Sequence, residues 1–438
     1  MAQSRPRVGV GLPVYNGENF VGDAIESILG QTFSDFELVI TDNASTDGTE
    51  QICRSYEALD PRVSYHRNPQ NLGASANYTR CFELARGEYF KWAAHDDVCL
   101  PEFLGSCVEA LDRDRSAVLC YTRVQTIDAA GRRGKKWPSR PSAAADEPDR
   151  RFEEVLTRQD TFPIFGLMRR DVLAGTPLLG PYPAHDRPLL AELSLHGSFV
   201  EIDNILFLER EHPQRSVRAY DFRKPHEAVA WYDTQQAGKL IFPAWRLLKE
   251  YRAAVHRASL SPGQSARSQR TILQWTVRHR SELIRDLYVA ARRQGIVGRM
   301  LAHLYEWRQQ RNWSRRARLA ARDLTEVLPL GEPVILVDEA LFEAECFSLW
   351  RTVPFPERDG EYAGPPPDAP AAMGELERLR ERGCGYVAFV WPAFWWLEYY
   401  GEFREHLSAR YDRVLENDRV VVFDVRVDRN MEVSGKGK

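Results

Sequence analysis

The N-terminal part of the chain alternates short apolar runs with stretches of helical period, and this alternation leaves few folds open. Val8-Gly-Val-Gly-Leu-Pro-Val14 is an apolar run that ends in the turn-forming Tyr15-Asn16-Gly17. Phe20, Val21, Ala24, Ile25, Ile28 and Leu29 then fall on one helical stripe, which Gly30 stops. Phe36-Glu-Leu-Val-Ile-Thr41 reads as a second strand, closed by Asp42-Asn-Ala-Ser-Thr-Asp-Gly48. A helix to Ala58, a strand around Val63-Ser-Tyr65 and a helix from Ala74 to Arg86 lead to the strand Glu88-Tyr-Phe-Lys-Trp-Ala-Ala94. A βαβαβαβ order with right-handed crossovers makes a mostly parallel sheet. Its polar turns then gather at the carboxyl ends of the strands, where open α/β sheets bind ligands.

Two adjacent carboxylates, Asp96 and Asp97, occupy one of those turns. Hard cations such as Mg²⁺ and Mn²⁺ take oxygen ligands and often combine one or two carboxylates with substrate phosphates. The pair therefore suits a divalent metal and a nucleotide diphosphate. An Asp-Asp pair alone is weak evidence, because surface loops carry many.

Five segments add specificity: Leu12-Pro-Val-Tyr-Asn-Gly17, Thr41-Asp-Asn-Ala-Ser-Thr-Asp-Gly-Thr49, Asn71-Leu-Gly73, Arg86-Gly-Glu-Tyr89 and His95-Asp-Asp97. In this order they resemble the successive motifs of family 2 glycosyltransferases of the GT-A fold, over roughly residues 7–215. The resemblance implies a Rossmann-like nucleotide-diphospho-sugar transferase domain. It implies that Pro13, Tyr15 and Asn16 line the nucleotide pocket, and that Asp42 accepts hydrogen bonds from the base. Asn43 and Asn71 join the nucleotide-sugar side, Asp96 approaches the ribose, and Asp97 ligates the Mn²⁺ or Mg²⁺ that bridges the diphosphate. His212 reaches back to the metal or diphosphate, and Arg215 or Ser216 contacts a phosphate. The chain departs from the commoner spelling at Ala94 and at Asn43, where relatives carry acids. Asp42, Asn43 and Ser45 also suit plain turn and cap bonds, and for Thr46 and Asp47 that reading is preferred.

Glycosyl transfer with inversion also needs a base for the acceptor hydroxyl. Asp186, in Pro181-Tyr-Pro-Ala-His-Asp-Arg-Pro188, resembles the family's acidic residue at the head of the acceptor-side helix, with His185 as second choice. The same position suits a helix cap. The Gln-x-x-Arg-Trp motif of processive members is not present.

A chain of 438 residues exceeds a single core, so several domains are expected. We read an α/β, GT-A catalytic domain over 1–220, a helical middle segment over 221–328, a small C-terminal α/β accessory domain over 329–427 and a disordered tail over 428–438. Residues 131–151, rich in Gly, Pro and charge, read as a loop over the acceptor site. The helical segment reads as a bundle packed on the catalytic domain, the alternative being a basic face in peripheral contact with anionic lipid. Trp391–Tyr400 is strongly aromatic, suited to sugar stacking or to a core. The net charge of −3 gives no reason to expect a nucleic-acid partner. Seven cysteines without a Cys-x-x-Cys pair, no apolar leader and no long apolar run point to a cytoplasmic protein.

The expected activity is metal-dependent transfer of a sugar from a nucleotide-diphosphate donor to a hydroxyl of a carbohydrate, lipid-linked or small-molecule acceptor. A nucleotidyltransferase acting on a sugar phosphate is the alternative, although no Gly-rich basic loop follows the first strand. A non-catalytic sugar-binding or scaffold protein is the third reading, and the presence of Asp96, Asp97 and Asp186 together weighs against it.

Overall fold

The structure, a computed structural model, describes residues 5–139, 143–158, 161–212, 215, 225–292, 313–342 and 344–429. The chain divides into two compact units, Met1–Gly298 and Arg299–Lys438.

In the first unit the elements β1 (Val8–Val14), α1 (Val21–Leu29), β2 (Phe36–Asp42), α2 (Thr49–Leu59), β3 (Val63–Arg67), α3 (Ala74–Leu84) and β4 (Tyr89–Trp92) follow the alternation in the sequence. The strands lie side by side as β3-β2-β1-β4, all parallel. Helix α1 buries Val21, Ala24, Ile25 and Ile28, the stripe its period requires. Pro13 sits in the middle of this sheet without a lost hydrogen bond. Pairing of β1 with β4 ends at Gly11, so the proline lies beyond that ladder.

Past β4 the sheet stops being parallel. The chain continues through β5 (Val98–Cys99), α4 (Phe103–Arg113), β6 (Ala117–Asp128), β7 (Arg133–Lys136), α5 (Pro148–Arg158), β8 (Leu167–Arg169), α6 (Arg170–Ala174), α7 (Asp186–His196) and β9 (Ser198–Glu211). The sheet extends as β4-β8-β6-β9-β5, with β7 beside β6. Strand β8 runs antiparallel to both β4 and β6, and β5 runs antiparallel to β9. The sheet as a whole is therefore mixed, a correction to the mostly parallel arrangement expected from the first four strands. The β5–β9 pairing has a functional effect, because it brings the end of β9 beside the Asp96–Asp97 turn.

The expected loop over 131–151 is largely built structure. Residues Arg133–Lys136 pair with β6, and α5 buries Phe152, Val155 and Leu156. Residues 140–142 lie outside the described residues.

Helices α8 (Pro225–Tyr232), α9 (Pro243–Arg257), α10 (Pro262–Arg278) and α11 (Arg280–Arg292) belong to the first unit. Tyr251 and Trp275 share one apolar core with Phe152 of α5 and Leu190 of α7. Two ion pairs join the same layers, Arg257 to Glu192 and Arg267 to Asp149, each at 2.6 Å. No helix among the described residues is long and apolar enough to cross a membrane. All seven cysteines are free thiols.

The second unit opens with a helix, α12, over residues 313–325. Strands β10 (Pro333–Val337), β11 (Arg351–Pro354), β12 (Glu357–Arg358) and β13 (Glu361–Tyr362) come next, then α13 (Ala369–Glu381), β14 (Tyr386–Val390), α14 (Trp395–Tyr399), α15 (Gly401–Arg410), β15 (Asp412–Glu416) and β16 (Val420–Asp424). Its five-stranded sheet has the order β11-β10-β14-β16-β15. Ala320 and Leu324 of α12 pack against Val334 and Val390 of that sheet, so this helix belongs to the C-terminal core. Trp396 and Tyr400 are buried, and the indole N–H groups of Trp395 and Trp396 both donate to Glu339. The aromatic segment is thus mainly core. Asp428, expected to begin a disordered tail, is buried and bound by Arg410; residues 430–438 lie outside the described residues.

Candidate active site

Three turns meet at the carboxyl ends of β1, β2 and β4. Asn16 takes the left-handed conformation at φ 50°, which asparagine tolerates. Its N–H donates to Ser45 Oγ at 2.9 Å, and its Oδ1 accepts from the Thr46 N–H at 2.8 Å. Gly17 closes the first turn against the third. A Cβ there would come within 2.6 Å of the His95 ring, so only glycine allows the approach. Tyr15 stands exposed at the rim.

The second turn is held from within. Asp42 is wholly covered, and its carboxylate accepts from Tyr65 Oη at 2.6 Å, Arg67 at 2.8 Å and the Ser45 N–H at 2.8 Å. A nucleotide base would therefore meet an acid that already has three donors. Asn43 uses both ends of its amide. It donates to Asn71 Oδ1 at 2.9 Å and to the Gly73 carbonyl, and it accepts from Asn68 and from the Leu72 N–H. Asn43 and Asn71 are thus brought together, as one brace between two loops.

Asp96 and Asp97 are both buried, each 8% exposed. Asp96 Oδ2 lies 3.0 Å from His212 Nε2. Burial opposes ionisation of Asp96, but His95, the His212 hydrogen bond and the charge of Arg215 outweigh it and hold this carboxyl below the usual range. Asp97 is pushed the other way, by burial first and by the charge of Asp96 second. Its Oδ1 accepts the Arg210 N–H at 2.8 Å, and its Oδ2 has no hydrogen-bond partner among the described residues.

Arg210, which no sequence motif singles out, organises this turn. Its guanidinium is buried, donating to the Asp96 carbonyl at 2.8 Å and to Asp23 at 2.9 Å. It lies near the end of β9, but nothing local marks it, since its partners lie far away along the chain. Arg215 is bound by Glu209 and Glu211, the latter at 2.6 Å. Ser216 lies outside the described residues.

Asp186 is the first residue of α7 and half-buried, with His185 in the capping position. Among the described residues its Oδ1 accepts only its neighbour's N–H, that of Arg187, at 3.0 Å. Tyr78 on α3 feels the charge of this acid and of the other two. Burial raises the Tyr78 phenol far above its ordinary value, and the charges of Asp96, Asp97 and Asp186 all raise it further. His185 is enclosed, with Nδ1 at 2.7 Å from the Gly180 carbonyl and 2.9 Å from Ser75 Oγ, and its ring meets Tyr232 edge-on at 4.9 Å. Burial lowers its pKa. It reads as a structural residue and a poor base.

No group of three or more His, Cys, Asp or Glu side chains among the described residues is placed to hold an ion unaided. The donor set nonetheless fits a cation shared with a ligand. A carboxylate raised by a neighbouring carboxylate, with one oxygen unpartnered, is relieved by positive charge, and Mg²⁺ commonly takes its remaining ligands from phosphates and water.

Residues 10–175 match the family described as Glycosyl transferase family 2. An uncharacterized glycosyltransferase of Rickettsia typhi is 29% identical over 177 residues, covering 40% of this chain and 50% of that protein. Chondroitin synthase of Escherichia coli is 32% identical over 136 residues, covering 30% of this chain and 20% of the synthase. The chain thus spans half or less of the length of these curated relatives. Among solved structures, S. aureus TarS 1–349 in complex with UDP-GlcNAc aligns with a TM-score of 0.47 at 16% identity, covering 65% of this chain and 80% of that one. Residues 10–175 of this chain therefore form a domain of glycosyltransferase family 2.

Proposed function

We propose that the first unit moves a sugar from a nucleotide-diphosphate donor to an acceptor hydroxyl with inversion at the anomeric carbon. The observation that carries this reading is the buried Asp96–Asp97 pair, held by Arg210 and His212 at the carboxyl edge of a family 2 sheet. Pro13, Tyr15, Asn16, Asp42, Asn43 and Asn71 form the nucleotide side. Asp96, kept ionised, faces the ribose. Asp97 is the residue that would hold Mn²⁺ or Mg²⁺, with His212 beside it through Asp96; when bound, such a cation stabilises the negative charge of the departing diphosphate. Asp186 removes the acceptor proton as that oxygen forms its bond to the anomeric carbon and the bond to the diphosphate oxygen breaks. Asp186 suits this work because its carboxylate is half-exposed and, among the described residues, takes only one neighbouring backbone N–H.

The test is a panel of UDP-, GDP- and dTDP-sugars with Mn²⁺, read first by thermal shift and then by donor turnover. One donor is expected to stabilise the protein by mass action. Asp186→Asn should keep that stabilisation while turnover falls roughly 10²–10⁴-fold, the range of a lost general base. Full turnover in Asp186→Asn overturns the base assignment, and release of pyrophosphate with incorporation of a nucleoside monophosphate overturns the reaction class.

A further inference from the structure

The loop that carries Asp186 also walls a cavity of about 440 Å³, within the roughly 300–1,000 Å³ of small-molecule sites. Pro181, Tyr182 and Pro183 form one side, and residues between Val229 and Lys249 form the rest. The lining is mainly apolar, with Tyr182, Leu240, Ile241, Phe242 and Trp245 prominent. Phe242 and Trp245 remain 37% and 42% exposed, an unusual cost for large rings beside a concave surface. The indole N–H of Trp245 already donates to the Leu283 carbonyl at 3.0 Å, so a ligand meets the apolar part of this side chain.

The polar groups decide the ligand. Gln236 is engaged with the Pro181 carbonyl at 3.0 Å and with Asp233 at 2.9 Å. Arg246 is held by Glu250 at 2.8 Å and lies 5.0 Å from the centre of the Tyr182 ring. Lys249 is exposed and has no partner among the described residues. No carboxylate is among the described residues that line the cavity. A sugar needs acceptors for its hydroxyl hydrogens, and this lining offers few. Apolar walls with a free ammonium group suit a hydrocarbon chain that ends in an anion.

We propose that this cavity binds the lipid portion of the acceptor, a hydrocarbon chain bearing a phosphate, with the chain against Phe242 and Trp245 and the phosphate at Lys249. Its role as an acceptor subsite rests on the glycosyl-transfer reading; the binding itself does not. From Pro181 the chain reaches Asp186 in one short loop, so a hydroxyl on the bound amphiphile enters beside the base.

The experiment titrates farnesyl phosphate into the full chain by calorimetry, with farnesol, inorganic phosphate and anionic phospholipid vesicles as separate arms. Farnesyl phosphate should bind, and Trp245→Ala and Lys249→Glu should each weaken it by about tenfold or more, with donor binding unchanged in both and the melting temperature unchanged in Lys249→Glu. Farnesol and inorganic phosphate should each bind more weakly than the combined molecule. The proposal is overturned by equal binding in wild type and variants, by inorganic phosphate or farnesol binding as tightly, or by binding to vesicles alone. If the variants lose farnesyl phosphate while no nucleotide sugar is turned over, the cavity stands and glycosyl transfer falls. Turnover without farnesyl phosphate binding overturns the cavity assignment and leaves glycosyl transfer in place.

Discussion

Arg210 donates its backbone N–H to Asp97 Oδ1 and its side chain to the carbonyl of Asp96, both at 2.8 Å, so a single residue of β9 fixes the orientation of both acids. The backbone bond survives any substitution other than proline. The side-chain bonds to Asp96 and Asp23 do not.

Arg210→Met should therefore destabilise the first unit by about 3 kcal/mol, the scale of losing buried charge-assisted hydrogen bonds. It should also weaken Mn²⁺-dependent donor binding, because the turn loses its reference. Urea unfolding measures the first effect and thermal shift with donor the second. A variant with wild-type values in both assays would remove Arg210 from the site.

Asp97→Asn keeps an oxygen for the Arg210 N–H and removes the charge that sits next to Asp96. In EDTA its stability should equal or exceed that of the wild type, since a buried like-charge repulsion is gone. Stabilisation by Mn²⁺ plus donor should vanish. The two results together separate a ligand-holding acid from a structural one, which would cost stability in both conditions.

Gly73 has φ +88°, and a Cβ there would lie 2.6 Å from the Tyr232 carbonyl oxygen. Gly73→Ala should cost about 1–3 kcal/mol from the left-handed backbone and the contact. Because Asn43 also binds the Gly73 carbonyl, donor affinity should fall with it. Denaturation and donor titration of the same preparation check both.

Burial lowers the pKa of His185 in the fold, although the Asp186 charge and the Gly180 carbonyl act the other way. The unfolded chain takes up that proton near pH 6.5. Stability contributed by the neutral ring is thus present above about pH 6.5 and is lost as pH falls toward the folded value, with a slope of up to about 1.4 kcal/mol per pH unit. His185→Gln should flatten the wild-type curve between pH 7 and 5. Parallel curves for the two proteins would refute this.

Much of the first sheet is legible in the sequence because its signals are local. Apolar runs end in Asn16-Gly17, in Asp42–Gly48 and at Asp96, and each turn occupies the expected edge. Helix α5 carries its own signal in Phe152, Val155 and Leu156, which the surrounding Gly, Pro and charge obscure. The antiparallel insertion of β8 is not legible, since three residues carry no period and their partners come from β4 and β6. The same holds for Arg210 and for Tyr65 and Arg67 on Asp42, where only tertiary pairing reveals the role. His185 reads as reactive from its type, and enclosure by Tyr232 and Gly180 makes it inert.

Between α8 and α9 two side chains of one short turn tie two loops together. Thr234 Oγ1 holds the Asn71 carbonyl at 3.1 Å, and two residues later the Gln236 amide holds the Pro181 carbonyl at 3.0 Å. The Asn71 and Pro181 loops consequently cannot drift apart without breaking this short staple. Displacement at either end is felt at the other over a span of only three residues.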